Sequence, residues 1–246
     1  MASEPQAVKA DDFAEANRAH FNTIAHEYDD MPHAIERARR TAARLRTAYD
    51  FNEDTTTVME YACGTGLVSR ELALYAKRII GVDISQGMVD QFNLRVSNQG
   101  ISPEEMQAVC VELKGEPGEL GDEKFDVIVC AAAYHHFTSI DDVTRILAYF
   151  LKPGGALLVV DLKKQDGEHA HSHGHGHGHG HSQDHGHQSM FPQQVHHIVP
   201  HRGGLGEEDM RKAFEGAGLS SFSFEDGIVG KNDVKLFLAK GIKPSV

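Results

Sequence analysis

The stretch TTTVMEYACGTGLVSRELALYAKRIIGVDIS, residues 55–85, decides the fold. TTTVMEYA is a short apolar run with strand-forming side chains. CGTG is a tight glycine turn, where the missing side chains permit positive φ and a close approach of backbone to a ligand. LVSRELALYAK predicts a helix, and RIIGVDIS a second strand. Strand, turn, helix and strand follow within about 30 residues, which is the order of a parallel βαβ unit.

The alternation continues downstream. GMVDQFNLRVSNQG reads as a helix stopped at Gly100, EMQAVCVEL as a strand, and KGEPGELGDEK as a polar loop. FDVIVCAAA is a strongly apolar strand, DDVTRILAYFL a helix, and GALLVVDL another buried strand. Such near-continuous apolar strands predict a parallel sheet covered on both faces. The rhythm breaks over residues 163–206. It resumes with GEEDMRKAFEGAGL, an amphipathic helix with a glycine stop, and SSFSFEDGIVGKNDVKLFLAKG, two strands joined near Gly230 to Asn232.

Upstream, Phe13, Ala16, Ala19, His20, Ile24 and Tyr28 share one helical face. Pro32 interrupts, and Ile35, Ala38, Ala42, Leu45 and Tyr49 mark a second helix. The expected architecture is α/β: a Rossmann-like, seven-stranded, mostly parallel sheet with a terminal antiparallel hairpin, helices on both faces and an N-terminal helical lid. Residues 1–12 are expected to be a flexible tail, and residues 13–246 one domain with a disordered His/Gly-rich insertion at 166–189.

The chain has 246 residues, 40% of them hydrophobic, and a formal net charge of −12. A charge of that sign gives no general attraction to nucleic acid or to anionic lipid, so neither is expected as a partner. Arg37, Arg39, Arg40, Arg44 and Arg46 form a basic run that reads as a solvated helix face. Three scattered cysteines, Cys63, Cys110 and Cys130, suggest free thiols in a reducing compartment. No apolar run approaches a membrane span, and the polar N-terminus resembles no secretion signal. The expectation is a cytoplasmic protein, with the nucleus left open.

Chemistry concentrates at the glycine turn. Such a turn opening a helix marks a ligand crevice at the carboxyl end of a strand. Asp83 ends the second strand about 20 residues on, the spacing at which a carboxylate receives ribose hydroxyls. A dinucleotide site would place glycine or alanine three residues after Gly66, and Ser69 stands there instead.

The sequence resembles the class I S-adenosylmethionine-dependent methyltransferases, of the type that includes ubiquinone- and menaquinone-biosynthesis-like enzymes. VMEYACGTG is similar to the family's first motif, with Ala62 where glycine is usual, and GVDIS to the second. AVCVEL resembles the third, with Glu112 where Asp or Asn is usual. FDVIVCAAAYHHF resembles the fourth, LKPGGALLVVDL the fifth, and HFNTIAHEYD the segment that folds over the cofactor. The resemblance covers most of residues 13–162 and, more weakly, the C-terminal helix and hairpin.

It implies S-adenosylmethionine as cofactor and a role for each matching residue. Ala62, Cys63, Gly64 and Gly66 would line its methionine part, and Glu60 would face its amino group. Asp83 would hold the ribose. Ile84 and Met88 would pack the adenine, with Glu112 and Leu113 on the same side. Ala131 would flank the sulfonium, and Tyr28 would close over it. Glu60 as a helix-end charge, Glu112 as a surface acid and Tyr28 as core stand as second readings. An already activated methyl asks mainly for alignment, with a general base only for a protonated acceptor. His135 and His201 are the candidates, and His136 is assigned to the framework.

The tract HAHSHGHGHGHGHSQDHGH, residues 169–187, holds nine of the chain's 17 histidines. A His-Gly repeat cannot build a core and is costly to order. It offers many equivalent modes of chelation where a structural zinc site has about four fixed ligands. It is read as a flexible loop with incidental metal affinity, and no metal site is assigned. The expected activity is methyl transfer to a small-molecule acceptor by in-line displacement. The alternatives are a protein methyltransferase, a non-catalytic partner subunit of the same fold and, more remotely, a metal-binding protein acting through the tract.

Overall fold

The computed structural model describes residues 10–164, 189–229 and 235–245. The histidine tract and the turn near Gly230 lie outside the described residues. The first βα unit runs from β1 (Thr57–Tyr61) through α3 (Leu67–Leu72) to β2 (Arg78–Asp83), behind two N-terminal helices, α1 (Ala10–Ile24) and α2 (Ala34–Ala48). Then come α4 (Gln86–Asn98), β3 (Met106–Cys110), β4 (Phe125–Ala131), α5 (Ile140–Phe150) and β5 (Leu151–Leu162). The chain closes with α6 (Glu207–Gly216), β6 (Ser220–Val229) and β7 (Lys235–Ile242).

The seven strands stand in the order β3-β2-β1-β4-β5-β7-β6. The first five are parallel, Val58 pairing with Ile79 on one side and Val127 on the other. The hairpin attaches antiparallel, Val159 opposite Ala239. The expected seven-stranded sheet with its antiparallel end is therefore present. The strands read as unbroken apolar runs because both faces are covered. Met59, Ile80, Ile128 and Leu157 pack under α5 and α6, against Leu147, Phe150, Met210 and Phe214. Their chain neighbours Val58, Ile79, Val127 and Leu158 point the other way, onto Leu45, Leu72, Phe92 and Val96 of α2, α3 and α4.

Several boundaries differ from the sequence reading. Helix α1 begins at Ala10 rather than at Phe13, and the helix after the glycine turn is shorter than LVSRELALYAK, tightening into a 3-10 turn at Ala73–Tyr75. The polar loop before β4 contains a tight turn at Glu119–Asp122 in which Leu120, Gly121 and Asp122 all have positive φ. No helix among the described residues is long and apolar enough to cross a membrane.

Candidate active site

The chain leaves β1 toward β2 and leaves β4 toward β5, on opposite sides, so the carboxyl ends of these two adjacent strands open a crevice. Their turns are left-handed. After β1, Ala62 has φ +55° and Gly64 φ +52°, and after β4, Ala132 has φ +53°. A non-glycine residue in that region costs about 1–2 kcal/mol, and alanine keeps the wall low. Gly66, at φ +80°, starts α3, and a Cβ there would lie 2.5 Å from the Phe92 ring. Backbone angle and packing both require the glycine.

Asp83 is 8% exposed at the end of β2. Its Oδ2 accepts from the Gly64 N–H at 2.9 Å and its Oδ1 from the Ser85 N–H at 2.8 Å. The two bonds hold the carboxylate still and leave lone pairs for further donors. Burial raises its pKa, and the backbone N–H groups of Ser85, Gly64 and Ile84 oppose the rise.

The N-terminal segment is fastened across this loop. Ser85 Oγ caps α4 by accepting from the Met88 N–H at 3.2 Å, and donates to Asn22 Oδ1 at 2.8 Å. The same Asn22 oxygen accepts from the Gly87 N–H at 2.8 Å. Farther along, Asp29 lies in a 3-10 turn and binds Arg70 of α3 at 3.1 Å and Arg95 of α4 at 2.9 Å, and it accepts from the Thr65 hydroxyl.

Between α1 and the crevice lies a cavity of about 320 Å³. Of the residues singled out from the sequence, Tyr28, Ala62, Gly64, Asp83, Ile84, Met88, Glu112, Leu113 and Ala131 line it. Glu112 also accepts from Arg18 of α1 at 2.9 Å, across the mouth. Glu60, Cys63, Gly66, His135 and His201 do not line it. Glu60 is buried beneath the glycine turn, where its Oε2 accepts from the Ser69 N–H at 2.9 Å and from the Ser69 hydroxyl. Burial pushes its pKa up to about 7, against the Ser69 bonds.

The tandem histidines divide opposite to the sequence reading. They sit in a 3-10 turn, Tyr134–His136, which points successive side chains about 120° apart. His135 faces the body of the protein. Its Nδ1 is 2.7 Å from Asp161 Oδ1, and its ring stacks on Phe191. His136 is the one on the cavity wall. Its Nδ1 lies 2.8 Å from the Ile198 carbonyl, an obligatory acceptor, so the proton is on Nδ1. Burial and then His135 push its pKa down to about 4, which leaves Nε2 with its lone pair near neutral pH. His201 is set back from the cavity, its N–H donating to the His135 carbonyl at 3.3 Å. Sequence reasoning missed Asn17 and Phe21, which line the cavity from α1. Their spacing from Ala14, three and seven residues, was the available signal.

A fixed carboxylate, a low glycine turn and aliphatic walls at Ile84, Met88, Val111 and Leu113 come together around one cavity. The fold and this crevice define a Rossmann-like α/β protein. Residues 59–159 match the family model described as a methyltransferase domain. An uncharacterised methyltransferase of Schizosaccharomyces pombe is 32% identical over 187 residues, 74% of this chain and 58% of that protein. The demethylmenaquinone methyltransferase of Bacteroides fragilis is 30% identical over 156 residues, 59% of this chain and 60% of that one. The chain thus spans less than two thirds of either relative. Among solved structures, magnesium protoporphyrin IX methyltransferase from Synechocystis with bound SAH superposes at a TM-score of 0.65 and 15% identity, covering 94% of this chain and 99% of that one. Residues 59–159 are thus similar to methyltransferase domains, and the chain shares its fold with a solved methyltransferase.

Proposed function

We propose that the chain transfers a methyl group from S-adenosylmethionine to a small-molecule acceptor. The observation that carries this is Asp83, held by two backbone N–H groups at the wall of a cavity roofed by α1. In this reading Asp83 receives the ribose hydroxyls. Ile84, Met88 and Leu113 pack the adenine, and Ala62, Gly64 and Ala131 border the methionine part. Glu60 and Gly66 act beneath the turn, holding its shape rather than touching the ligand. The bound sulfonium supplies an activated methyl: a bond from the nucleophile to carbon forms as the carbon–sulfur bond breaks, leaving a thioether.

The protein's share is alignment and exclusion of water. In-line displacement gains several kcal/mol, roughly 7–11 at best, from holding reactants in attack geometry. The roof made by Ala14, Asn17, Phe21 and Tyr28 supports a small acceptor, since a protein side chain would need an open cleft. His136, whose Nε2 carries a lone pair at the wall, replaces His135 and His201 as the group that receives an acceptor's proton.

Calorimetric titration of S-adenosylmethionine and S-adenosylhomocysteine, with Asp83→Ala as control, tests the reading. Micromolar binding to the wild type and loss in the variant are expected. Absence of binding to a folded wild type would sink it, and would favour a non-catalytic partner subunit.

A further inference from the structure

The fastenings of α1 and the turn after it differ in how far they are open to water. Asn17 is 5% exposed where it donates to the Ile198 carbonyl at 3.1 Å. The side chains of Asp29, Arg70 and Arg95 are 14%, 22% and 20% exposed. The pair between Arg18 of α1 and Glu112, in the loop after β3, is far more open, at 33% and 52%. An ion pair that wet shifts an equilibrium only a few-fold, whereas separating a buried pair strands its charges.

Its place gives the weak pair a use. Glu112 lines the cavity between Val111 and Leu113, and Arg18 Nη2 reaches it from the roof at 2.9 Å. The link therefore joins the β3 loop to α1 at the rim, on the side where Ile84, Met88 and Leu113 form the wall assigned to the base.

Arg18 also holds a second carboxylate. Its Nη1 donates to Glu15, one helical turn back and 68% exposed. A guanidinium is a flat fork of five donors, so one end can release Glu112 while the other keeps Glu15. The arginine charge then stays paired, and the freed carboxylate of Glu112, already half exposed, takes water instead. Separation at Asp29 has no such relief, because it leaves two partly buried guanidinium groups without their carboxylate.

We infer that the Arg18–Glu112 pair is a gate on the nucleoside's way in and out, opening by side-chain motion while the buried fastenings of the roof stay made. A gate that closes over both the empty and the filled cavity slows entry and exit alike and leaves affinity unchanged. A direct contact with the ligand would slow exit alone and tighten binding. The inference rests on the methyltransferase reading for the identity of what passes.

The test follows S-adenosylhomocysteine, which carries no net charge near neutral pH, binding to the immobilised full chain by surface plasmon resonance. In Arg18→Gln, association and dissociation are both expected to quicken by about threefold, the scale of an exposed ion pair, with Kd within about twofold of wild type. Raising KCl from about 0.05 to about 0.5 M should quicken both rates in the wild type and neither in the variant, because salt screens exposed charges. Arg18→Lys keeps the charge and should exchange more slowly than Arg18→Gln. A rise of less than about twofold in either rate of Arg18→Gln would overturn the gate. So would a salt response equal in wild type and Arg18→Gln, or Arg18→Lys exchanging as fast as Arg18→Gln. Failure of S-adenosylhomocysteine to bind the folded wild type would instead overturn the underlying reading.

Discussion

A single carboxyl group gives the fold a pH signature. Glu60 holds its proton to about pH 7 in the folded chain, against an ordinary value of 4.5, chiefly because burial disfavours its charge. Unfolding between those two pH values releases a proton. The folded state binds more protons than the unfolded one, so this group's contribution is full below pH 4.5 and is lost as pH rises to about 7. Glu60→Gln keeps an oxygen for Ser69 and has nothing to titrate. Denaturant unfolding at pH 5 and pH 8 should show the wild type losing on the order of 2 kcal/mol relative to the variant. A pH-independent difference would contradict the assignment. Asp83, one strand away, could be placed at the crevice from sequence because its position depends only on where β2 ends. Glu60 was legible only in its second reading, as a helix-end charge: its Oε2 accepts from the Ser69 N–H in the first turn of α3.

At the scale of elements, the N-terminal segment is a roof pinned at two places. Asn22 holds it to the Ser85 loop, and Asp29 to α3 and α4. Asp29 and its two arginines are each less than a quarter exposed, so the pair energies are less screened than at a surface. Asp29→Ala leaves two partly buried guanidinium groups without their carboxylate, a loss of about 2 kcal/mol localised to the roof. Hydrogen exchange should rise over residues 20–30 while the sheet keeps its protection, and cofactor affinity should fall about tenfold. Unchanged exchange in that segment would remove Asp29 from the role. The element order, the sheet and its hairpin could be read from period and turn residues alone, since they follow from local chemistry. The tandem histidines could not. A tight 3-10 turn decides which ring faces the cavity, and adjacent identical residues carry no pattern that distinguishes them.

Across the whole molecule, the segment after β5 leaves the sheet and returns to it through its own anchors. Lys164 donates to the Leu205 carbonyl at 2.9 Å, Leu205 donates to the Leu162 carbonyl at 2.9 Å, and Met190 donates to the Arg202 carbonyl at 2.9 Å. Among the described residues, both sides of the histidine tract are tied to the loop before α6. A chain lacking residues 169–187 should therefore keep its thermal midpoint within about 2 °C, a change of at most about 1 kcal/mol, and its affinity for S-adenosylmethionine. Loss of either would show that the tract supports the fold or the site. The cavity wall around His136 was the least legible part of the sequence. Asn17, His136 and Ile198 come from three distant stretches and meet only after folding.

The pinned roof has a kinetic reading as well. Asn17 and Phe21 line the cavity from the same helix whose Asn22 holds the loop after Asp83, so under the proposed function the acceptor's side of the cavity is complete only when the nucleoside is enclosed. Turnover should follow a compulsory order, methyl donor first and S-adenosylhomocysteine last to leave. Product inhibition by S-adenosylhomocysteine should then be competitive against the donor and non-competitive against the acceptor. Competition against both would mean that the two sites fill independently.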